Sequence, residues 1–446
     1  MAENRRRRLH LLAPDREGRV LVDGDGHLPT VTFELGPDET TVAAARRLAA
    51  ERWSQPRPVL EVRFDDSGSG DEDASAAAAI AEIAALAVLE PGPAGVPADG
   101  DRWSSSDDRT VLPVELRARV DGWRAEWRGQ HPPDPLRAPW ARPGWYQRIA
   151  DWVSGRLEEL GRPPTGAIEQ RRHWSISALL RTETATGRVW AKAVFPGFAH
   201  EPGVTAFLHE AAPGAVAPVL AVDDDEGWLL LDDIGAAVVA ERPEADEDAI
   251  RRLVALQRTF LGRTDELAAA GFVPRPFSAL PAQLTASLGD ASLRRWLDLE
   301  PARVAAVVAW IEAAVGEVTD LGLEDTLVHG DFHPENVVVH DGRAVLFDWS
   351  DAAVAHPLVD AMTWSTWLDD DPARGERAWD VFLDAWSDVV PAERLRAARP
   401  TLVGLTAAYH TVSYVGILRA IEPALRDELG GGLEAYGRAL DAAIPR

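Results

Sequence analysis

The segment from Leu327 to Asp351, LVHGDFHPENVVVHDGRAVLFDWSD, constrains this chain more tightly than any other stretch. Its two apolar runs, VVV and AVLF, read as the strands of a short hairpin. Side chains at the strand ends then converge on one edge, and they are Asp331, His333, Asn336 and Asp348. Oxygen donors on such an edge suit Mg²⁺, which takes hard ligands and few protein contacts besides substrate phosphate. Asn336 and Asp348 are the donors assigned to it.

Two compositional rarities bear on the same chemistry. Lys192 is the only lysine in a chain otherwise basic through arginine, and asparagine occurs only at Asn4 and Asn336. A bias of this kind reflects coding composition, so a residue that escapes it marks a place where its substitute would fail. A compact ammonium and a broad guanidinium fork are not interchangeable at a tight phosphate contact. Lys192 lies in RVWAKAVF, a strand that follows a Thr-Gly turn.

The pattern H-G-D-x-H-x-x-N, running from His329 to Asn336 and followed by an apolar strand and Asp348-Trp349, resembles the aminoglycoside phosphotransferase family of the protein-kinase-like superfamily. Asp331 stands five residues before Asn336, the separation between the catalytic Asp and the metal-binding Asn of the protein-kinase loop. The resemblance implies that Asp331 orients a substrate hydroxyl and accepts its proton, while Asn336 and Asp348 hold Mg²⁺ on the phosphates of ATP. It also implies that His329 braces the loop, that Asp360 hydrogen-bonds it, and that Lys192 pairs with the phosphates. Glu201 is the helical partner expected for Lys192, with Glu210 as the fallback. WLLLDDIG, residues 228–235, fits the hinge, where backbone groups near Asp233 and Ile234 would read adenine. Where protein kinases cover the phosphates with glycines, this chain has Trp174-Ser175-Ile176-Ser177-Ala178, so Ser175 and Ser177 are the candidates there. The C-terminal helices should line the acceptor site, a small molecule with a hydroxyl group, through His333, Asp351, Tyr409 and His410. Ser413 and Tyr414 lie on the same helix as the last two.

The expected fold is α+β, a two-lobed kinase-like domain preceded by a separate α+β domain, in a chain of 446 residues. Residues 1–130 form that first domain, 131–142 a Pro-rich linker, 143–235 the β-rich lobe with its leading helix and hinge, and 236–446 the helical lobe. The resemblance covers about two-thirds of the chain. Within the first domain, residues 9–35 read as short strands and VAAARRLAAERW as a helix. Ala76 to Leu89 reads as an Ala-rich helix, and VLPVELRARV and WRAEWRG as strands. The order is faintly similar to a Nudix fold, but Val42, Arg47 and Ala50 stand where its catalytic glutamates belong, and a silent Nudix-like or maltokinase-type cap is the reading adopted. Of the 17 tryptophans, Trp145, Trp152, Trp349, Trp364, Trp367, Trp379 and Trp386 follow apolar periodicity and are assigned to the core.

Charge and composition exclude several classes. A net charge of −26, concentrated after residue 142, disfavours a nucleic-acid partner. The absence of cysteine removes disulfides, thiolate metal sites and cysteine nucleophiles. No apolar run in the sequence suggests a membrane span and no secretory leader is evident, so the expected location is the cytoplasm. Oligomeric state, ATP against GTP, and the acceptor itself (aminoglycoside, amino sugar, neutral sugar or amino alcohol) stay open. The rival readings are a nucleotide-binding pseudokinase acting as scaffold or sensor, and a metal-dependent hydrolase seated in the first domain.

Overall fold

The computed structural model describes residues 6–15, 19–35, 39–53, 57–64, 83–91, 101–104, 114–297 and 299–444. The chain divides into two compact units, Met1–Ala193 and Val194–Arg446.

In the first unit the strands are β1 (Arg6–Leu12), β2 (Leu21–Val22), β3 (Thr30–Glu34), β4 (Val59–Phe64), β5 (Ile83–Leu89) and β6 (Arg102–Trp103). Helices α1 (Thr41–Trp53) and α2 (Val114–Trp127) accompany them. A four-stranded sheet runs β3-β1-β5-β4, with β1 and β5 parallel and the other pairs antiparallel. Val42, Ala45, Leu48 and Ala49 of α1 pack with Leu9, Leu11, Ala85 and Ala87. Leu12, Leu60, Leu86 and Val88 pack with Val120 and Trp123 of α2.

Two expectations fail here for related reasons. Ile83–Leu89, expected within an Ala-rich helix, is the central strand β5; the rest of that segment, 76–82, lies outside the described residues. A strand covered on both faces loses its polar alternation and reads as a continuous apolar run. Conversely, residues 114–127 form α2, because Val120, Trp123 and Trp127 recur at helical spacing on one buried stripe.

The Pro-rich stretch is packed. Arg137 is buried, its guanidinium 4.1 Å from the Trp123 ring centre and ion-paired to Glu126, and Trp140 is also buried. After it come α3 (Trp145–Glu159), with Trp145, Ile149, Val153 and Leu157 along its buried stripe, and three strands, β7 (Glu169–His173), β8 (Ser177–Thr184) and β9 (Gly187–Val194), neighbours in the order β9-β8-β7.

The second unit opens with α4 (Glu201–Ala211) and the hairpin β10 (Val219–Asp223) and β11 (Trp228–Asp232). Helices follow: α5 (Asp246–Thr259), α6 (Thr264–Ala269), α7 (Leu280–Leu288), α8 (Pro301–Thr319), α9 (Leu358–Trp367), α10 (Pro372–Trp386), α11 (Ala392–Ala420) and α12 (Asp427–Ala443). Between them lie β12 (Val273–Pro274), β13 (Thr326–Val328), β14 (Val337–His340), β15 (Arg343–Leu346) and β16 (Ala353–Ala355). Phe260, Phe332, Trp349, Trp364, Trp379, Phe382 and Trp386 fill a common core. Trp367 departs from the expectation: it is 39% exposed, at the C-terminal end of α9. Among the described residues α11 is the one helix long and apolar enough to cross a membrane, and 67% of its apolar window is buried inside the fold, as a core helix requires.

One ion pair ties this helical unit together. The buried Arg374 of α10 grips both carboxylate oxygens of Asp246 at 2.7 Å and donates to the carbonyls of Val239 and Ala240. Truncating one partner strands the other charge in a dry site. Arg374→Leu is therefore expected to destabilise the protein by about 3–5 kcal/mol, read as a lower urea midpoint; an unchanged midpoint would show that the pair is dispensable.

Candidate functional site

The hairpin β14–β15 turns at Asp341-Gly342, both with positive φ (51° and 75°), the geometry a two-residue hairpin demands. That turn fixes the register at Val337↔Leu346 and His340↔Arg343. Asn336 therefore lies opposite Phe347, whose N–H donates to the Asn336 carbonyl at 3.1 Å, and Asp348 follows at once. The hairpin is stitched in place by Ala217 N–H to Leu346 O at 3.1 Å, Leu346 N–H to Ala215 O at 2.9 Å and Val339 N–H to Ala237 O at 2.8 Å.

The loop before it, residues 329–336, is held from beneath. Asp360 of α9, fully buried, accepts the backbone N–H groups of His329 and Gly330 at 2.9 Å each and the Gln257 amide at 2.9 Å. Burial pushes its pKa up, to about 7, against these three donors that favour the ionised form. His329 is also fully buried; its ring donates from Nε2 to Phe347 O at 3.0 Å and lies against Trp349. Burial lowers its pKa to about 4, so it is a neutral brace joining loop to hairpin. Gly330 has φ of 82°, and a Cβ there would collide with the backbone of Asp351.

Asp331 is half-buried, and Asn336 Nδ2 donates to its carbonyl at 2.9 Å and to its Oδ2 at 3.2 Å. With Nδ2 committed to Asp331, the oxygen of the Asn336 amide is the end left for a cation. His333 Nε2 lies 3.4 Å from Asp331 Oδ2, its Nδ1 accepts the Glu335 N–H at 3.3 Å, and its ring stacks on Trp367 with planes 1° apart. Burial alone would raise Asp331, but the bond and charge of His333 outweigh it and hold the carboxyl below its ordinary range. The converse holds for His333: burial lowers it, and Asp331 outweighs that and raises it. Asp348 takes a left-handed φ of 63°, a conformation that costs a non-glycine residue energy and clusters at functional sites, and Ser350 Oγ donates to its Oδ1 at 2.8 Å.

Asp351 sits close by. Ser413 Oγ donates to its Oδ1 at 2.9 Å, and Arg275 stands 3.8 Å from the same oxygen. Burial first, then the negative charges of Asp331 and Asp348, push Asp351 up to about 6, against Arg275 and Ser413. Arg275 was not foreseen; its cation lies 4.0 Å from the Tyr409 ring centre, and only the fold brings it there from the segment after β12. Tyr409 itself belongs to the helical core. His410 is buried too: Thr363 donates its hydroxyl to Val359 O, so it accepts from His410 Nε2 at 2.8 Å, and the ring stacks on Tyr436, another residue the sequence did not single out. Tyr414 and Tyr436 lie 5.5 Å apart, and the charges of Asp331 and Asp351 help burial to raise both phenols.

The remaining expected residues are placed as follows. Lys192 is buried on β9, and Glu201 is buried in the first turn of α4. Glu210 is exposed near the end of α4. Ser175 and Ser177 are buried at the β7–β8 turn, which Trp174 N–H closes on Ser177 O at 2.9 Å. Asp233 and Ile234 follow β11; the Ile234 carbonyl accepts from the His340 ring at 3.1 Å, and its side chain packs beside Ala217, Val338 and Val345.

Residues 174–398, just over half of the chain, match the model of the phosphotransferase enzyme family, APH. The chain belongs to that family. Its α+β, protein-kinase-like fold is the one expected, and it is a small-molecule phosphotransferase by family. Solved structures similar to it include a macrolide 2'-phosphotransferase type I (16% identity, 66% of this chain and 96% of that one, TM-score 0.43). A choline kinase from Streptococcus pneumoniae (13%, 66% and 99%, 0.48) and an ethanolamine kinase from Plasmodium vivax (10%, 73% and 88%, 0.48) are also similar. No curated protein matches the sequence.

The brace under the loop is directly testable. Asp360→Asn would turn an amide NH₂ toward a backbone N–H and leave it unsatisfied, at a cost of about 1–3 kcal/mol. A lower urea midpoint is expected, and wild-type stability in this variant would contradict the bracing role.

Proposed function

We propose that this phosphotransferase moves the γ-phosphoryl group of ATP to a hydroxyl of a small molecule, such as an aminoglycoside, an amino sugar, a neutral sugar or an amino alcohol. The observation that carries the reading is the Asp331–Asn336–Asp348 edge: an ionised carboxylate hydrogen-bonded to an amide whose oxygen is left outward, beside a second carboxylate on a strained backbone. The kinase-like domain is taken to span residues 143–446, with 131–142 as a packed connector and 1–130 as a non-catalytic domain.

The donor set fits Mg²⁺. Asn336 and Asp348 offer hard oxygens, and the accumulated negative charge that helps to raise Asp351 is what a divalent cation would relieve. Two protein donors match the habit of Mg²⁺, whose remaining coordination would fall to phosphate and water. When bound, the metal would neutralise charge on the phosphates.

Asp331 receives the acceptor hydroxyl and takes its proton as the acceptor oxygen bonds to the γ-phosphorus and the bond from that phosphorus to the bridging oxygen breaks, releasing ADP. Its lowered pKa keeps it ionised at neutral pH, which suits orienting a hydroxyl more than stripping it early. His333, stacked on Trp367, keeps the carboxylate aimed. Lys192 carries the phosphates with Glu201 as its partner, Ser175 and Ser177 supply the covering turn, and the backbone at Asp233 and Ile234 meets adenine. Asp351 and Arg275 offer an acceptor and a donor side by side, an arrangement that reads polar groups on the molecule being phosphorylated. His410 and Tyr409, being buried, shape that wall from behind.

Asp331→Asn is expected to lose transfer by at least about a thousandfold while nucleotide affinity stays within a few-fold; substantial turnover in this variant would remove Asp331 from its role. Asp351, at about 6, ionises as the pH rises from 5 to 7 and becomes a better hydrogen-bond acceptor. The KM for the acceptor should therefore fall over that interval, and Asp351→Asn should flatten the dependence. A flat wild-type profile would place Asp351 outside the acceptor contact.

A further inference from the structure

We propose that the N-terminal domain and the connector after it brace the β7–β8 turn, Arg46 of α1 and Trp140 of the connector holding β7 from outside and Gln170 of β7 docking it on β4, and that they position the turn for nucleotide; the inference rests on the assignment of that turn to the ATP phosphates. A glycine-rich loop pays conformational entropy each time it closes on a ligand. The turn Trp174–Ala178 has no glycine, and its backbone is fixed from outside instead.

Strand β7 is gripped at its start, middle and end. At the start, the Ile168 carbonyl accepts both Arg46 of α1, at 3.0 Å, and the Tyr146 hydroxyl, at 2.7 Å, with the Arg46 cation 4.4 Å from the Tyr146 ring centre. In the middle, the buried Gln170 side chain imitates a strand partner for β4: it accepts Val59 N–H at 2.9 Å and donates to Val59 O at 3.0 Å. Its second amide hydrogen faces His173 Nε2 at 2.9 Å, so His173, whose pKa burial lowers to about 4, is neutral with its proton on Nδ1. At the end, the buried indole of Trp140 donates to the Trp174 carbonyl at 2.8 Å, the residue that opens the turn.

These contacts do more than cover an edge. Sheet edges are commonly protected by charge, a bulge or a short strand, and β7 already carries a bulge between Gln170 and Arg172. The Trp140 bond lies beyond the last residue of β7, at Trp174, whose own N–H closes the turn on Ser177. Holding the two peptides that flank Trp174, one through its N–H and the next through its carbonyl, sets where the N–H groups of the turn point before any ligand arrives. These contacts thus supply the preorganisation that a glycine-rich loop would gain only on closing over its ligand.

The test uses the full-length protein carrying Trp140→Phe, which keeps a buried ring and loses one N–H, and Arg46→Met, on a half-exposed helix face where folding is not at stake. Amide hydrogen exchange of residues 174–178 without nucleotide is expected to accelerate about three- to tenfold in each, as the loss of one hydrogen bond implies. The KM for ATP should rise by a similar factor, with the KM for the acceptor unchanged. Wild-type exchange and wild-type KM for ATP in both folded variants would overturn the brace. Faster exchange with an unchanged KM for ATP would overturn its link to nucleotide and leave a merely structural cap. The exchange arm needs no turnover, so it separates failure of this inference from failure of the kinase assignment.

Discussion

The carboxylate of Asp360 is the interaction on which the rest of the site depends. One buried side chain takes the N–H groups of His329 and Gly330 and an amide from α5, and so sets the height of the whole loop above the helical core. His329 passes that constraint to the hairpin through Phe347 O, and the hairpin register passes it to Asn336 and Asp348. No link in this chain is itself a proposed substrate contact, yet each fixes an atom of the proposed site. Gly330 is required because the loop runs against the Asp351 backbone, which ties Asp351 to the same frame.

Around that frame, charge is arranged so that negative groups accumulate until a cation is welcome. Asp331 and Asp348 both press on Asp351 with negative charge, which Arg275 counters, while His333 counters the charge of Asp331 at close range. The same crowding explains why Asp331 and Asp351 shift in opposite directions. Asp331 has a hydrogen-bonding imidazole within reach, while Asp351 has a guanidinium at 3.8 Å and two carboxylates nearby. Two like groups are thereby set apart, one held ionised and one poised near 6, as the different work proposed for them requires.

Much of this was legible in the sequence because the polar residues of the loop are separated by fixed short spacings, and short spacings survive folding. The hairpin and the Asp331–Asn336 separation follow from local patterns, whereas the bond of Asp360 to the loop was expected only through the family resemblance. Arg275 and Tyr436 were missed, and Trp367 was assigned to the core, because their meetings with Asp351, His410 and His333 span tens of residues that only tertiary packing closes. In the N-terminal domain the apolar period misled, since β5 is buried on both faces and α2 hides its stripe among arginines. The contacts of Gln170 with Val59 left no trace in spacing, as they join positions 111 residues apart.

The account turns on whether phosphoryl transfer occurs, and the direct measurement is acceptor-dependent ADP release by the full-length protein with MgATP. It would be run across aminoglycosides, amino sugars, neutral sugars and amino alcohols, with Asp348→Ala as the blank. ADP formed in step with a phosphorylated product for at least one class is the result predicted. ATP binding that stabilises the fold, with release at the blank level for every acceptor, would contradict it and leave a nucleotide-binding scaffold in its place.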